Sequence, residues 1–212
     1  MARIKNGILG GFSGKLGPVV GYGVGKKSFI RTLPNVPKKF TAKELLNQKK
    51  FKLVSDYLNP FSPLLKVGFK NYFTETGGLR AAISYTYKNA LLLQDDAWKI
   101  DPALIKISGG ELPQAIAPTV ALSMANTLTI SWKNKGRSNL NDQLILLVYD
   151  TEKSYAMTMI YDGPLRHTGQ VELKLPKRLQ KRSLDIYIGF IAADRSIQSD
   201  SQYLGRHYTA LV

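Results

Sequence analysis

The spacing of apolar residues changes twice along this 212-residue chain. From Phe40 to Leu92 they recur at helical intervals. Thr41-Ala-Lys-Glu44 has the form of a capping box, in which the Thr41 hydroxyl accepts from the Glu44 N–H while the Glu44 carboxylate reaches back. Phe40 and Leu45 flank it as a hydrophobic staple. Phe51, Val54 and Leu58, with Leu46, Leu53 and Tyr57 beside them, continue one helix to Asn59-Pro60. Ser62-Pro63 predicts a second helix, with Ser62 as N-cap, carrying Leu64, Leu65, Val67, Phe69 and Tyr72 and ending near Thr76-Gly77-Gly78. A third helical segment is predicted from about Leu79 to Leu92.

From about Ile105 the period falls to two. Leu128-Thr-Ile130-Ser-Trp132 alternates, and Leu144 to Tyr149 is a continuous apolar run. Tyr155 to Tyr161, Val171 to Leu175 and Ile186 to Ala193 follow, separated by turn clusters at 134–141, 162–164 and 176–183. Short strands at this spacing predict a β-sandwich. Trp132 and the Tyr187…Phe190…Ala192 series read as core positions of a fibronectin-III or immunoglobulin type of sandwich, an analogy of architecture only.

Residues 1–39 follow neither regime. Apolar pairs (Ile8-Leu9, Val19-Val20, Phe29-Ile30) alternate with glycine and lysine. Glycine costs about 1 kcal/mol per helical position, so strand pieces joined by tight turns are expected. Pro34 and Pro37 favour an extended exit. The predicted fold class is therefore α+β: a Gly-rich basic arm (1–39), a segment of short helices (40–100), and an all-β sandwich (101–212).

Charge sharpens the division. Met1 to Lys43 holds nine Lys or Arg, eight Gly and no acid; the first carboxylate is Glu44. Residues 1–94 carry 16 basic and 3 acidic side chains, whereas 95–212 carry 14 and 12. Such a one-sided field steers the N-terminal half toward polyanions or an acidic protein face. A Gly-rich cationic segment cannot bury enough apolar surface to fold unaided. It needs the rest of the chain, a neighbouring copy or an anionic partner. The apolar content of 44% supports a packed core elsewhere. No run is long and apolar enough for a membrane span, and Ile8 to Val24 is too interrupted for a signal-peptide core, so a cytoplasmic location or an intracellularly assembled particle is expected.

Tests for chemistry return little. The chain has no cysteine, which removes disulfides, thiolate metal sites and a Cys nucleophile. A phosphate loop needs G-x-x-x-x-G-K-[ST]; around Gly14-Lys15 the outer positions are Leu9 and Leu16, and around Gly25-Lys26 they are Val20 and Lys27. Gly21-Tyr-Gly23-Val-Gly25 lacks the dinucleotide spacing. The two histidines, His167 and His207, have no nucleophile elbow to serve and no metal-ligand spacing. Asp95-Asp96 and Asp101 read as a linker or as charge partners of the basic half. No enzyme, cofactor or metal is expected.

Binding fits the residues better. Lys15, Lys26, Lys27, Arg31, Lys38 and Lys39 precede the first helix, which carries Lys49, Lys50 and Lys52. These nine are the candidate contact set for an acidic partner or a polyanion, with Tyr22, Phe29 and Phe40 able to stack on bases. No helix-turn-helix, OB or RRM signature accompanies them, so nucleic-acid contact would be non-specific and salt-sensitive. Pro176 to Arg182 is a second basic run, read as a solvated loop between strands.

One resemblance covers most of the chain. The opening Ala2-Arg-Ile-Lys-Asn-Gly-Ile-Leu-Gly-Gly-Phe-Ser-Gly-Lys-Leu-Gly-Pro-Val-Val-Gly-Tyr22, then Gly25-Lys26 and Ile30-Arg31, resembles an uncharacterised family common in Bacteroidota. The likeness returns at Phe51, Lys66 to Lys70, Ala81 to Tyr85, Lys88 to Ala90, Ile107 to Pro113, Asp142-Gln143 and Ser199 to Gly205. One departure is Gly23-Val-Gly25-Lys26, where members often carry a Trp-Lys-Gly stretch. The resemblance implies a domain of unknown function and lends no catalytic residues. The expectation is a non-enzymatic structural or assembly protein, of host or mobile-element origin, whose basic arm docks on a partner or neighbouring subunit. A nucleic-acid or polyanion binder is the alternative.

Overall fold

The computed structural model describes residues 3–4, 10–24, 27–33, 35, 39–71, 77–123, 126–134 and 140–209. The chain divides into two compact units, 1–47 and 48–212.

The larger unit is built around one doubly covered sheet. Its seven sandwich strands are β7 (Ile116–Leu122), β8 (Thr127–Lys133), β9 (Gln143–Asp150), β10 (Tyr155–Met159), β11 (Gln170–Lys174), β12 (Ser183–Ile191) and β13 (Gln202–Tyr208). They form two antiparallel sheets, β10-β9-β12-β13 and β11-β8-β7. This is the layout of immunoglobulin- and fibronectin-type sandwiches. Alternate residues of β9 and β12 point to opposite sides. Leu144, Leu146, Val148, Leu184, Ile186, Ile188 and Phe190 meet Leu128, Ile130, Trp132, Val171 and Leu173 of the facing sheet. Ile145, Leu147, Tyr149, Tyr187 and Ile191 turn the other way, into a second core.

Three helices supply that second core: α1 (Ala42–Leu58), α2 (Ser62–Gly68) and α3 (Gly78–Asn89). Val54, Leu58, Phe61, Leu64, Leu65, Phe69, Ala81 and Ala82 are all buried there. A strand buried on both faces reads as an unbroken apolar run, which accounts for Leu144 to Tyr149. It also means that, from residue 48, the helical segment shares a core with the sandwich instead of standing apart at a boundary near residue 100. Tyr187 is corrected in the same way: three residues from Phe190, it lies on the helical face, its hydroxyl donating to the Pro102 carbonyl at 2.8 Å.

Local signals held in part. The Thr41 N–H donates to Glu44 Oε2 at 2.8 Å and the Glu44 N–H to Thr41 Oγ1 at 3.3 Å, the two halves of the capping box. α1 ends at Leu58, just before Asn59-Pro60 as expected, but a 3-10 turn, Asn59–Phe61, runs directly into α2, so Ser62 is not an N-cap and Phe61 occupies that position without a side-chain bond. α2 stops at Gly68, where a Cβ would overlap the Ile107 carbonyl oxygen. α3 ends at Asn89 and gives way to a hairpin, β5 (Leu91–Gln94) and β6 (Ala97–Ile100). Asp95 and Asp96 form its two-residue turn, both with positive φ (49° and 59°), as a type I′ turn requires. They are thus turn residues instead of a linker, and Asp95 pairs with Lys99 at 3.0 Å.

In the smaller unit, β1 (Arg3–Ile4), β2 (Phe12–Leu16), β3 (Val19–Val24) and β4 (Lys27–Thr32) form an antiparallel meander in sequence order. Gly17-Pro18 makes the turn from β2 to β3, with Gly17 at φ 56°. No residue before Val54 contributes to either buried core among the described residues.

Candidate functional site

The meander brings together part of the predicted contact set. Residues directly opposite in an antiparallel pair share a face, as do residues two apart. Lys15 lies opposite Val20, Val20 opposite Arg31, Tyr22 opposite Phe29 and Val24 opposite Lys27. One face of β2–β4 therefore carries Lys15, Lys27 and Arg31 with Tyr22 and Phe29. The two rings stack at 5.5 Å between centroids, and the Arg31 guanidinium lies 5.4 Å from the Tyr22 centroid. Cation and ring attract through the ring quadrupole, which orients Arg31 across this face.

The opposite face is built from small and apolar residues: Leu16, Val19, Gly21, Gly23, Ser28, Ile30 and Thr32. The Phe12 ring packs where a Gly21 side chain would stand, so Gly21 permits the sheet to close at that point. Ile30 is 66% exposed and Leu16 59%. β4 is the terminal strand of the sheet order and every one of its six residues is exposed. Its sequence, KSFIRT, mixes two cations with two large apolar side chains, Phe29 and Ile30.

The remaining predicted cations fall elsewhere. Lys39 is exposed ahead of α1. Lys49, Lys50 and Lys52 sit on α1 within the larger unit, and Lys50 Nζ rests 3.6 Å from the Trp98 ring centroid. Lys26 and Lys38 lie outside the described residues. The nine-residue set is therefore split: three residues share a sheet face and three share a helix. The strand alternation was readable in the sequence; the partnership of Lys50 with Trp98, 48 positions away, had no local signal.

Charge inside the larger unit has structural work to do. Arg166 is buried with Asp142, its NH2 group 3.2 Å from Asp142 Oδ2. It also donates to the Pro113 carbonyl at 2.7 Å and lies 3.7 Å over the Phe190 ring. Burial pushes the Asp142 carboxyl up and the Arg166 guanidinium down from their ordinary values, each opposed by the other's charge. Trp132 closes the cluster by donating to the Arg166 carbonyl at 2.9 Å. Asp185 is buried and accepts from Thr151, Tyr203 and both nitrogens of an Arg206 fork at 2.8–3.0 Å. His167 and His207 each set a ring nitrogen against a backbone carbonyl, of Leu140 and Leu204. Among the described residues no group of three His, Asp or Glu side chains gathers at metal-binding distance, and no helix is long and apolar enough to cross a membrane.

Two solved structures are similar to part of the chain. The fibronectin type III domain of the human collagen alpha-1(XX) chain aligns with 47% of this chain and 87% of its own, at 14% identity and a TM-score of 0.37. That of human contactin 1 aligns with 50% and 83%, at 10% identity and 0.34. The sandwich is identified by its own strand order, independently of these likenesses. No curated protein matches. The model of a family of unknown function, DUF6266, matches residues 11–205, from just before β2 into β13, and the chain belongs to that family.

Proposed function

We propose that the protein is a non-enzymatic assembly or protein-interaction module in which the larger unit is the folded body and the meander is the docking element. The partner, a neighbouring copy or a protein with an acidic surface, adds a strand alongside β4. The observation that carries this reading is that β4 is a sheet-terminal strand exposed along its whole length, in a sheet none of whose described residues belongs to a buried core. An uncovered strand edge is a template for pairing, and natural proteins that leave one open use it or guard it. Lys27 and Arg31, on β4 itself, then select for negative charge, with Lys15 on the same sheet face.

Light scattering of the purified chain, alone and with candidate partners, tests it together with Ile30→Lys. A charge on an edge strand blocks strand addition, so this variant is expected to stay monomeric and to keep the melting temperature of the parent. A chain that is monodisperse as a monomer while residues 10–32 resist proteolysis contradicts the proposal.

The cation–aromatic face gives a second reading, non-specific binding of single-stranded nucleic acid or another polyanion. Stacked Tyr22 and Phe29 beside Arg31 and Lys15 have the composition of a stacking platform. Titration with single-stranded and duplex DNA at two salt concentrations decides it: affinity falling steeply with salt supports it, and no binding at low salt removes it.

A further inference from the structure

Within the larger unit, α1 and α3 border an open groove of about 400 Å³ lined by Phe51, Arg80, Ile83, Ser84, Tyr87 and Lys88. Its construction follows from helical spacing. Ile83 and Tyr87, four apart on α3, are half-buried and form the floor, and Phe51 of α1, 54% exposed, stands as the opposite wall. Arg80, Ser84 and Lys88 continue at the same spacing along the outer rim, all exposed. Eight residues at 1.5 Å each set Arg80 and Lys88 about 12 Å apart along the axis, one near each end of the apolar floor.

We infer that this groove binds an elongated amphipathic anion, its apolar body against Phe51, Ile83 and Tyr87 and its acidic head held by Arg80 or Lys88. Three features favour that occupant. The volume falls in the range of small-molecule sites, which are mainly apolar with a few charged groups that fix orientation. Among the described residues neither Arg80 nor Lys88 has an ion-pair partner, and none of those lining the groove is a carboxylate. Phe51 is flanked in sequence by Lys50 and Lys52, which adds positive charge to this part of α1. An exposed phenylalanine between cations is costly to leave in water and is covered by a ligand that is apolar in the middle and negative at one end. The inference is independent of strand addition at β4.

Decanoate, below the concentration at which it forms micelles, is the probe, with decanol and decyltrimethylammonium as neutral and cationic counterparts of the same chain length. Calorimetry and backbone-amide NMR shifts on the full chain are expected to show decanoate binding about tenfold tighter than decanol, with shifts centred on 80–88 and Phe51. Arg80→Gln combined with Lys88→Gln removes the preference and leaves decanol unchanged; Phe51→Ser weakens both. Equal affinity for decanoate and decanol, or shifts that miss α3, overturns the inference, and neither result depends on a variant folding.

Discussion

Every residue of β12 from Leu184 to Ile191 is buried, and every residue of β4 is exposed. Both are antiparallel strands rich in residues that favour extended backbone, so strand propensity does not separate them. Their surroundings do. β12 pairs with β9 on one side and β13 on the other, and has apolar layers on both faces. β4 has β3 alone and contributes to neither core. Sheets without a packed face are marginal in water; β4 adds no buried side chain of its own, whereas β12 lies between two cores. The same contrast holds for charge. Arg166 is locked in the interior between Asp142 and backbone carbonyls, while Arg31 leans on one exposed ring.

That contrast breaks most visibly under substitution. Arg166→Ala leaves the buried Asp142 without its cation and is expected to cost about 3–5 kcal/mol, whereas Arg31→Ala is expected within about 0.5 kcal/mol. Chemical denaturation of both variants measures the gap; similar losses would mean that the meander is integrated into the cooperative fold. Removal of residues 1–39 is a smaller perturbation. A chain beginning at Phe40 is expected to melt within about 4 °C of the full chain, the shift that roughly 1 kcal/mol produces in a protein of this size, and calorimetry checks it.

A comparably small effect lies at the entrance to α1, whose first turn belongs to the smaller unit. Bonds from the Thr41 N–H and hydroxyl hold the Glu44 carboxyl below its ordinary value of 4.5. A depressed carboxyl stabilises the fold at pH above its unfolded value, and that contribution is lost as pH falls through the lower folded value. Thr41→Ala is expected to cost about 1 kcal/mol near neutral pH. The difference from the parent should shrink on acidification below the ordinary value, and a difference that grows would contradict the capping assignment.

How much was legible in the sequence follows the same division. Period-two alternation exposed β8 and β11, and the unbroken run Leu144 to Tyr149 marked the strand buried on both faces. β7 stayed hidden because Pro118 and a positive φ at Ala117 interrupt its alternation, with a bulge between Ile116 and Thr119. β13 is half-exposed and carries Gly205 at φ 97°, so no apolar period marks it. The β5–β6 hairpin turns on Asp95-Asp96, which lacks the Asn-Gly or Asp-Gly signal of a type I′ turn and reads from sequence as charge alone. At the candidate site, the alternation in β3 and β4 was present in the sequence. Which residues oppose each other was not, because register depends on turn lengths that the sequence leaves open. The ion pair of Asp142 with Arg166 needs a loop to fold back 24 positions, and spacing carries no trace of that.

Amide hydrogen exchange on the full chain, in dilution and at concentrations or partner levels where it assembles, tests the central claim most directly. In the dilute chain the amides of β3 and β4 should exchange orders of magnitude faster than those of β9 and β12, and β4 should gain protection on assembly. Slow exchange of β4 in a dilute monomer, or assembly that leaves β4 unprotected, would contradict its role as the docking edge.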